Sequence, residues 1–248
     1  GSHFDKYLKD VFHAYYIRDN LSKSKFKFWQ HAHYIEPEII KKSNLVLTNS
    51  IYYQEYALKK NKKSYMVGQG CDLSLFNPEK LSKNITRERK TVGYVGNISS
   101  LRLDTQLIVY LAKNLPLIDF VFIGPLDDKI NTNEFKNITN LIFKGKVPEK
   151  DVPKVINGFD ICINPQLVND VTVGNYPRKI DEYLAMGKPI IATKTLAMEY
   201  FKDSVILANS YQEYKQGIIK ILTLEDSPKL FEERRKIALN HSWKNCVN

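Results

Sequence analysis

Thr91-Val92-Gly93-Tyr94-Val95-Gly96, followed by residues 102–114 and then Phe120-Val121-Phe122-Ile123-Gly124-Pro125, decide the fold. The first and third segments are apolar almost throughout and each runs into glycine. That is the pattern of a strand buried on both faces that turns sharply at its end. The middle segment puts Leu107, Ile108 and Leu111 on one face of a helix. Strand, helix and strand in this order make the crossover unit of a parallel sheet.

The same alternation continues in both directions. Downstream, Asn140-Leu141-Ile142-Phe143, Asp160-Ile161-Cys162-Ile163-Asn164, Pro189-Ile190-Ile191-Ala192 and Val205-Ile206-Leu207 read as strands. Helices are expected over 151–157, over 179–186 (stopped by Gly187 and Pro189), and in the tail over 212–222 and 228–241. Upstream, residues 11–16, 45–48 and 64–67 read as strands, and 29–42 as a helix with Ile35, Ile39 and Ile40 near helical spacing. Ser50 is a natural N-cap for a helix over 51–60. Residues 68–90 are rich in Gly, Pro, Asn and charge and read as a linker. The expected class is α/β without internal repeats. Three parts are expected: a partial N-terminal α/β domain with its linker (1–80), a Rossmann-like domain (81–225), and a C-terminal helix (226–248) packing back toward the N-terminal part.

Composition narrows the function classes. A chain of 248 residues that is 43% hydrophobic can bury a real core, which excludes intrinsic disorder. Gly at 11 and Pro at 10 exclude a collagen-like or low-complexity chain. The best apolar run, 107–112, is far short of the ~20 residues that cross a bilayer. Gly1-Ser2-His3 reads as a tag remnant, and no secretory signal pattern follows it. Cys71, Cys162 and Cys246 are odd in number and form no CxxC pair, so no disulfide framework or zinc site is suggested, and a reducing, cytoplasmic compartment fits. A net charge of +10 favours anionic partners: nucleic acid, an anionic membrane surface, or phosphorylated small molecules. Fifteen tyrosines come without RNP-type runs or zinc-finger spacing, so nucleic acid is not expected. His31 and His33 point apart on a helix and have no nearby ligand partner, so no metal is expected. Lys59-Lys60-Asn61-Lys62-Lys63 is either an anionic-lipid contact or a solvated helix end.

Ligands of open parallel sheets sit beyond the carboxyl ends of the strands. Those ends are Gly96-Asn97, Gly124-Pro125, Gly145-Lys146, Asn164-Pro165 and the loop 168–179. The turn from Gly96 through Ser100, with Arg102 just beyond, suits a phosphate; it is not GxGxxG, and an ordinary strand-to-helix turn is the alternative. In Pro177-Arg178-Lys179-Ile180-Asp181-Glu182-Tyr183-Leu184-Ala185-Met186-Gly187-Lys188-Pro189, two cations stand in a first helical turn, where they oppose the helix dipole. A bound diphosphate would explain them, and Glu182 one turn on would hold a ribose. The alternative is a solvated Lys179–Glu182 pair worth about 0.3 kcal/mol.

This stretch, with Ile190-Ile191-Ala192-Thr193 after it, resembles the donor-binding helix of nucleotide-sugar glycosyltransferases of GT-B fold, in the large family-four group. Further segments agree in order. They are Leu45-Val46-Leu47-Thr48-Asn49-Ser50, Gly70-Cys71-Asp72 with Phe76-Asn77-Pro78, Tyr94-Val95-Gly96-Asn97 with Asp104, and Phe122-Ile123-Gly124-Pro125. Phe143-Lys144-Gly145-Lys146-Val147, Asp160 through Pro165, and Ala238 through Trp243 complete the series. The resemblance implies retaining transfer of a sugar from a UDP- or GDP-sugar, without metal or other cofactor. The acceptor would be a saccharide or lipid-linked, in surface polysaccharide synthesis, with the protein cytoplasmic or peripheral on the inner membrane face.

Carried over by residue, the resemblance gives Glu182 the ribose, and Lys179 and Arg102 the diphosphate, with Arg178 beside them. Gly96 and Asn97 would line the phosphate and sugar cleft, and the backbone around Lys146 and Val147 would meet the base. The pattern departs in three places. The family's first glutamate falls on Gly174, so Asn175 or Asp170 is the candidate for the sugar contact. Tyr176 stands where a related branch has Asn. The N-terminal portion is shorter than the family's acceptor domain and shows no Gly-rich first loop, so the chain reads as lacking most of an acceptor half. Asp19 and His13 are expected near the end of the first strand, either facing an acceptor or serving a cap or turn. A nucleotide-sugar-binding module without transfer activity is the alternative function.

Overall fold

The computed structural model describes residues 11–19, 31–81, 88–224 and 226–246. Two all-parallel sheets organise it. The smaller holds β1 (Ala14–Ile17), β2 (Leu45–Thr48) and β3 (Ser64–Met66) in that order. Helices α1 (Ala32–Lys42) and α2 (Ile51–Leu58) serve it. Ser50 caps α2 as its residue type suggests, its Oγ accepting from the Tyr53 N–H at 3.5 Å. The expected start of α1 at Trp29 lies outside the described residues.

The larger sheet holds β4 (Lys90–Val95), β5 (Ile118–Ile123), β6 (Leu141–Lys144), β7 (Ile161–Asn164), β8 (Ile190–Thr193) and β9 (Ile206–Ala208). Its order is β6-β5-β4-β7-β8-β9, so strand order reverses between β4 and β7, the place where such sheets bind ligands. The helices are α3 (Thr105–Asn114), α4 (Val152–Asn157), α5 (Lys179–Ala185), α6 (Tyr211–Thr223) and α7 (Pro228–Asn240). Alternate residues of each strand feed two cores. Val92, Phe120, Phe122, Ile161 and Ile163 pack with α3 and α6, through residues such as Leu107, Leu111 and Ile218. Val121, Ile123, Cys162 and Ile190 pack with Ile180, Tyr183 and Leu184 of α5 and with Ala238 of α7. Burial on both faces is why these strands carry no polar alternation.

The helix expected over 102–114 begins three residues later. Asp104 is its N-cap, accepting from the Leu107 N–H at 2.9 Å, and Arg102 belongs to the preceding turn. The turn is pinned from outside: the Ser100 hydroxyl donates to Asp127 Oδ2 at 2.9 Å, and the Lys129 N–H, with this hydroxyl, holds the Asp127 carboxyl below its usual range.

After α7 the chain runs onto the linker. The Cys71 N–H donates to the His241 carbonyl at 3.3 Å, and Cys71 and Ser242 form an isolated parallel bridge. A second tie joins the lobes at α2. The Ser50 hydroxyl donates to the Gly174 carbonyl at 2.7 Å, and the Tyr53 hydroxyl donates to Asn175 Oδ1 at 3.2 Å. No helix of the described residues is long and apolar enough to cross a membrane.

Candidate functional site

The carboxyl ends of both sheets face one cleft of about 530 Å³. One wall is built by the bend after β4 and the first turn of α5. Gly96 adopts φ 150° and Gly124, at the end of β5, φ 144°, in the region that favours glycine. The two bends pack backbone on backbone: a Cβ on Gly124 would collide with the Gly96 carbonyl, and the Gly96 N–H donates to the Ile123 carbonyl at 2.9 Å. A Cβ on Gly96 would stand 3.3 Å from Lys179 Cε. The Lys179 ammonium itself lies 5.0 Å from the centre of the Tyr94 ring, whose hydroxyl donates to the Asn97 carbonyl. From the middle of α5 the Tyr183 hydroxyl accepts the Val95 N–H at 2.9 Å, fixing the helix to the bend.

The ion pair in this turn differs from the Lys179–Glu182 pair of the alternative reading. Glu182 is paired with Arg178 at 2.9 Å, not with Lys179. Four residues on, Arg178 and Glu182 stack on the cleft-side stripe of the helix, while Lys179 is turned toward Gly96 and Tyr94. The Glu182 side chain is 13% exposed. Burial pushes its carboxyl above the usual value, against the pull of the Arg178 and Lys179 charges. Arg102, Asn97 and Asn175 also line the cleft. Four cations (Arg18, Arg102, Arg178 and Lys179), two carboxylates (Asp19 and Glu182) and a glycine bend therefore share one concave surface, which can hold a diphosphate and its hydroxylated appendage.

Other expected residues lie elsewhere. Lys146 and Val147 follow β6 and do not line this cleft; Val147 packs against the α5-side core. Gly174 has no room for a side chain, because its Cβ would collide with the Tyr52 ring of α2. Asp170 sits in an exposed turn off the cleft. Asp19 does line it, beside Arg18, with Nε to Oδ2 at 3.5 Å. His13 precedes β1, at the opposite end of that strand from Asp19, with its N–H donating to Asn44 Oδ1 at 2.8 Å. The described residues bring together no group of three or more His, Cys, Asp or Glu suited to a metal.

Asn164 and Thr172, at the strand end and in the loop singled out from the sequence, line the cleft. Two features escaped the sequence reading. Asn49 and Gln69 also line the cleft, and single polar residues after a strand give no periodic signal. Asp181, on the buried side of α5, is 0% exposed. It takes the Tyr176 hydroxyl on Oδ2 at 2.6 Å and meets His241 Nδ1 with Oδ1 at 2.8 Å. The His241 ring stacks on Tyr200 at 4.7 Å. An aspartate between Ile180 and Tyr183 in an otherwise apolar face was the available signal.

The family model described as "Glycosyl transferases group 1" matches residues 89–224. A putative teichuronic acid biosynthesis glycosyltransferase, TuaH of Bacillus subtilis (strain 168), is 25% identical over 226 residues, covering 86% of this chain and 56% of that protein. The chain thus spans about half the length of this curated relative. Among solved structures, Anabaena Alr3699/HepE in complex with UDP and glucose superposes with a TM-score of 0.72 at 18% identity, over 94% of this chain and 68% of that one. WaaG, a glycosyltransferase involved in lipopolysaccharide biosynthesis, superposes with a TM-score of 0.73 at 13% identity, over 99% and 79%. The GT-B fold expected from the sequence is the fold of these neighbours. With the matched family segment spanning both the Gly96 bend and the helix that carries Lys179 and Glu182, the chain belongs to the glycosyl transferases group 1 family.

Proposed function

We propose that the chain binds a nucleoside-diphosphate sugar in the cleft and transfers the sugar, with retention, to a saccharide or lipid-linked acceptor in surface polysaccharide synthesis. The observation that carries this reading is the Lys179 side chain crossing the Gly96 bend within contact distance. An ammonium beside a glycine turn at the end of a parallel strand suits a diphosphate. Lys179, Arg102 and Arg178 stabilise the charge that develops on the departing nucleoside diphosphate, the principal electrostatic task of such a site. Glu182 receives the ribose hydroxyls once the nucleotide displaces Arg178 from it or shares it. Asn175, steered by Tyr53 of the other lobe, takes the sugar-contact role in place of Gly174. The base contact implied for the backbone around Lys146 and Val147 requires the base to extend past the lined cleft toward the end of β6, where these two residues stand. Lys59, Lys62 and Lys63, exposed or half-exposed after α2, form the surface for an anionic inner membrane face.

A second reading, donor binding without transfer, is favoured by one observation: the Tyr52 ring fills the place of the family's first glutamate. Calorimetry with Lys179→Ala and Glu182→Ala against UDP-, GDP- and ADP-sugars tests the donor site. Loss of a charge-assisted contact of about 1.5–3 kcal/mol lowers affinity roughly 10- to 150-fold. Unchanged affinity in both variants means the donor lies elsewhere. Product analysis with saccharide acceptors, on the full-length protein, separates transfer from binding alone.

A further inference from the structure

Among the described residues, two buried side-chain polar atoms have no hydrogen-bond partner: Asn49 Oδ1 and Asn164 Nδ2. Both residues line the cleft, from opposite lobes. Buried polar atoms are paired in the great majority of cases, so two orphans beside one cleft call for a partner that the described residues do not supply.

Asn164 is the last residue of β7 and is 2% exposed. Strand alternation puts its side chain on the face of Cys162, which packs toward α5. The carboxamide therefore lies at the floor of the cleft, on the side of the turn that carries Lys179 and Glu182. Its backbone carbonyl is already used by the Tyr214 hydroxyl at 2.9 Å. An aliphatic residue would fill this position without an orphaned amide. Asn49 follows β2 and is 1% exposed. Its Nδ2 donates to the Arg18 carbonyl at 2.9 Å, which fixes the amide orientation and leaves Oδ1 as the orphan.

We propose that Asn49 and Asn164 are the groups that read the hydroxyls of the donor's sugar ring, held between the lobes beyond the diphosphate. This rests on the donor reading above. One orphan is an acceptor and the other a donor. Both are neutral, so they give a diphosphate little that the cations beside them do not give better. A hydroxyl donates and accepts with one oxygen, and a sugar ring offers several at different angles, which suits orphans of both kinds lining one cleft. A site built this way rejects ligands lacking the hydroxyl, because binding them leaves its own groups unpaired.

The test is Asn164→Leu, close in size, with Asn164→Ala as a second variant should the branched side chain overpack. Calorimetry is run with UDP and UDP-glucose, and with GDP and GDP-mannose, and judged on whichever diphosphate the wild type binds. The expected result is a free protein that melts about 2–4 °C higher, since an orphaned amide is removed. Affinity for the nucleoside diphosphate stays within about twofold, while affinity for its sugar conjugate falls about tenfold. Asn49→Ala shows the same split between diphosphate and conjugate. Equal losses for diphosphate and conjugate, or no loss for either, overturn the inference and leave the donor site standing. A wild type that binds none of the four overturns the donor reading, and this inference with it.

Discussion

Replacing Asp181 by alanine should be among the most costly single changes in the donor-side lobe. The carboxylate is fully enclosed and joins three segments: Tyr176 before α5, α5 itself, and His241 after α7. Alanine removes the acceptor for both partners at once and leaves a buried hydroxyl and a buried imidazole without it. Leaving two buried partners unsatisfied costs about 1–3 kcal/mol each, about 2–6 kcal/mol together. For a chain of this size each kcal/mol lowers the melting temperature by about 2–4 °C, so a drop of roughly 4–24 °C is expected. Asp181→Asn keeps the volume and can serve both neighbours with one oxygen and one NH₂, and should cost about 1–2 kcal/mol. Urea unfolding at pH 7, followed by circular dichroism, measures both. A double-mutant cycle with His241→Phe, which keeps a ring against Tyr200, should show coupling of at least about 1 kcal/mol. An Asp181→Ala variant within about 0.5 kcal/mol of wild type, or an additive cycle, would refute the assignment of this network as the anchor of α5.

Gly174→Ala should destabilise by about 1–3 kcal/mol through overpacking against Tyr52, and combining it with Tyr52→Ala should remove most of that penalty in urea titrations. A full penalty in the double variant would show that the contact is not the cause. Glu182 gives a pH signature. Its folded value lies above the ordinary 4.5 because burial disfavours the charged form. Its contribution to stability is thus fully present below the unfolded value and is lost as pH rises through the folded one. Glu182→Gln should therefore be more stable than wild type at pH 7–8, the advantage shrinking toward pH 4, as read from unfolding midpoints across that range. A pH-independent difference between the two proteins would contradict the burial argument.

The strands were legible because runs such as Phe120-Val121-Phe122-Ile123 are apolar on both faces and end in Gly or Pro. The start of α3 was not, because it depends on Asp104 capping and on Asp127 holding the preceding turn, a partner beyond local spacing. The glycine bend and Lys179 were legible as a strand end and a helix start that meet at a switch point. The partner of Glu182 was not: spacings of three and four both suit a helix, and the choice follows from Lys179 being drawn to the Gly96 side. The Asp181–His241 contact joins residues far apart in sequence, and the packing of Tyr52 on Gly174 joins the two lobes. Neither leaves a periodic trace in the sequence.

The order of the larger sheet also bears on how the chain reaches its native state. Val92 of the central strand pairs with Phe120 on one side and with Ile161 on the other. The first pairing closes over one helix, and the second must wait until two more strands and a further helix have been spanned. Each doubling of a closed loop adds only about 0.6 kcal/mol of entropy cost, but contacts of high sequence separation slow the search. Folding is thus expected to begin as β4, α3 and β5 condense, with β7 docking later. The seam formed last is the one beneath the cleft, held by register pairs at Val92 and Gly93 where the other flank of β4 has pairs along its whole length. Slow steps in refolding, and early amide exchange in the native protein, should therefore converge on the line between β4 and β7, so that the surface assigned to chemistry is also the last to become whole.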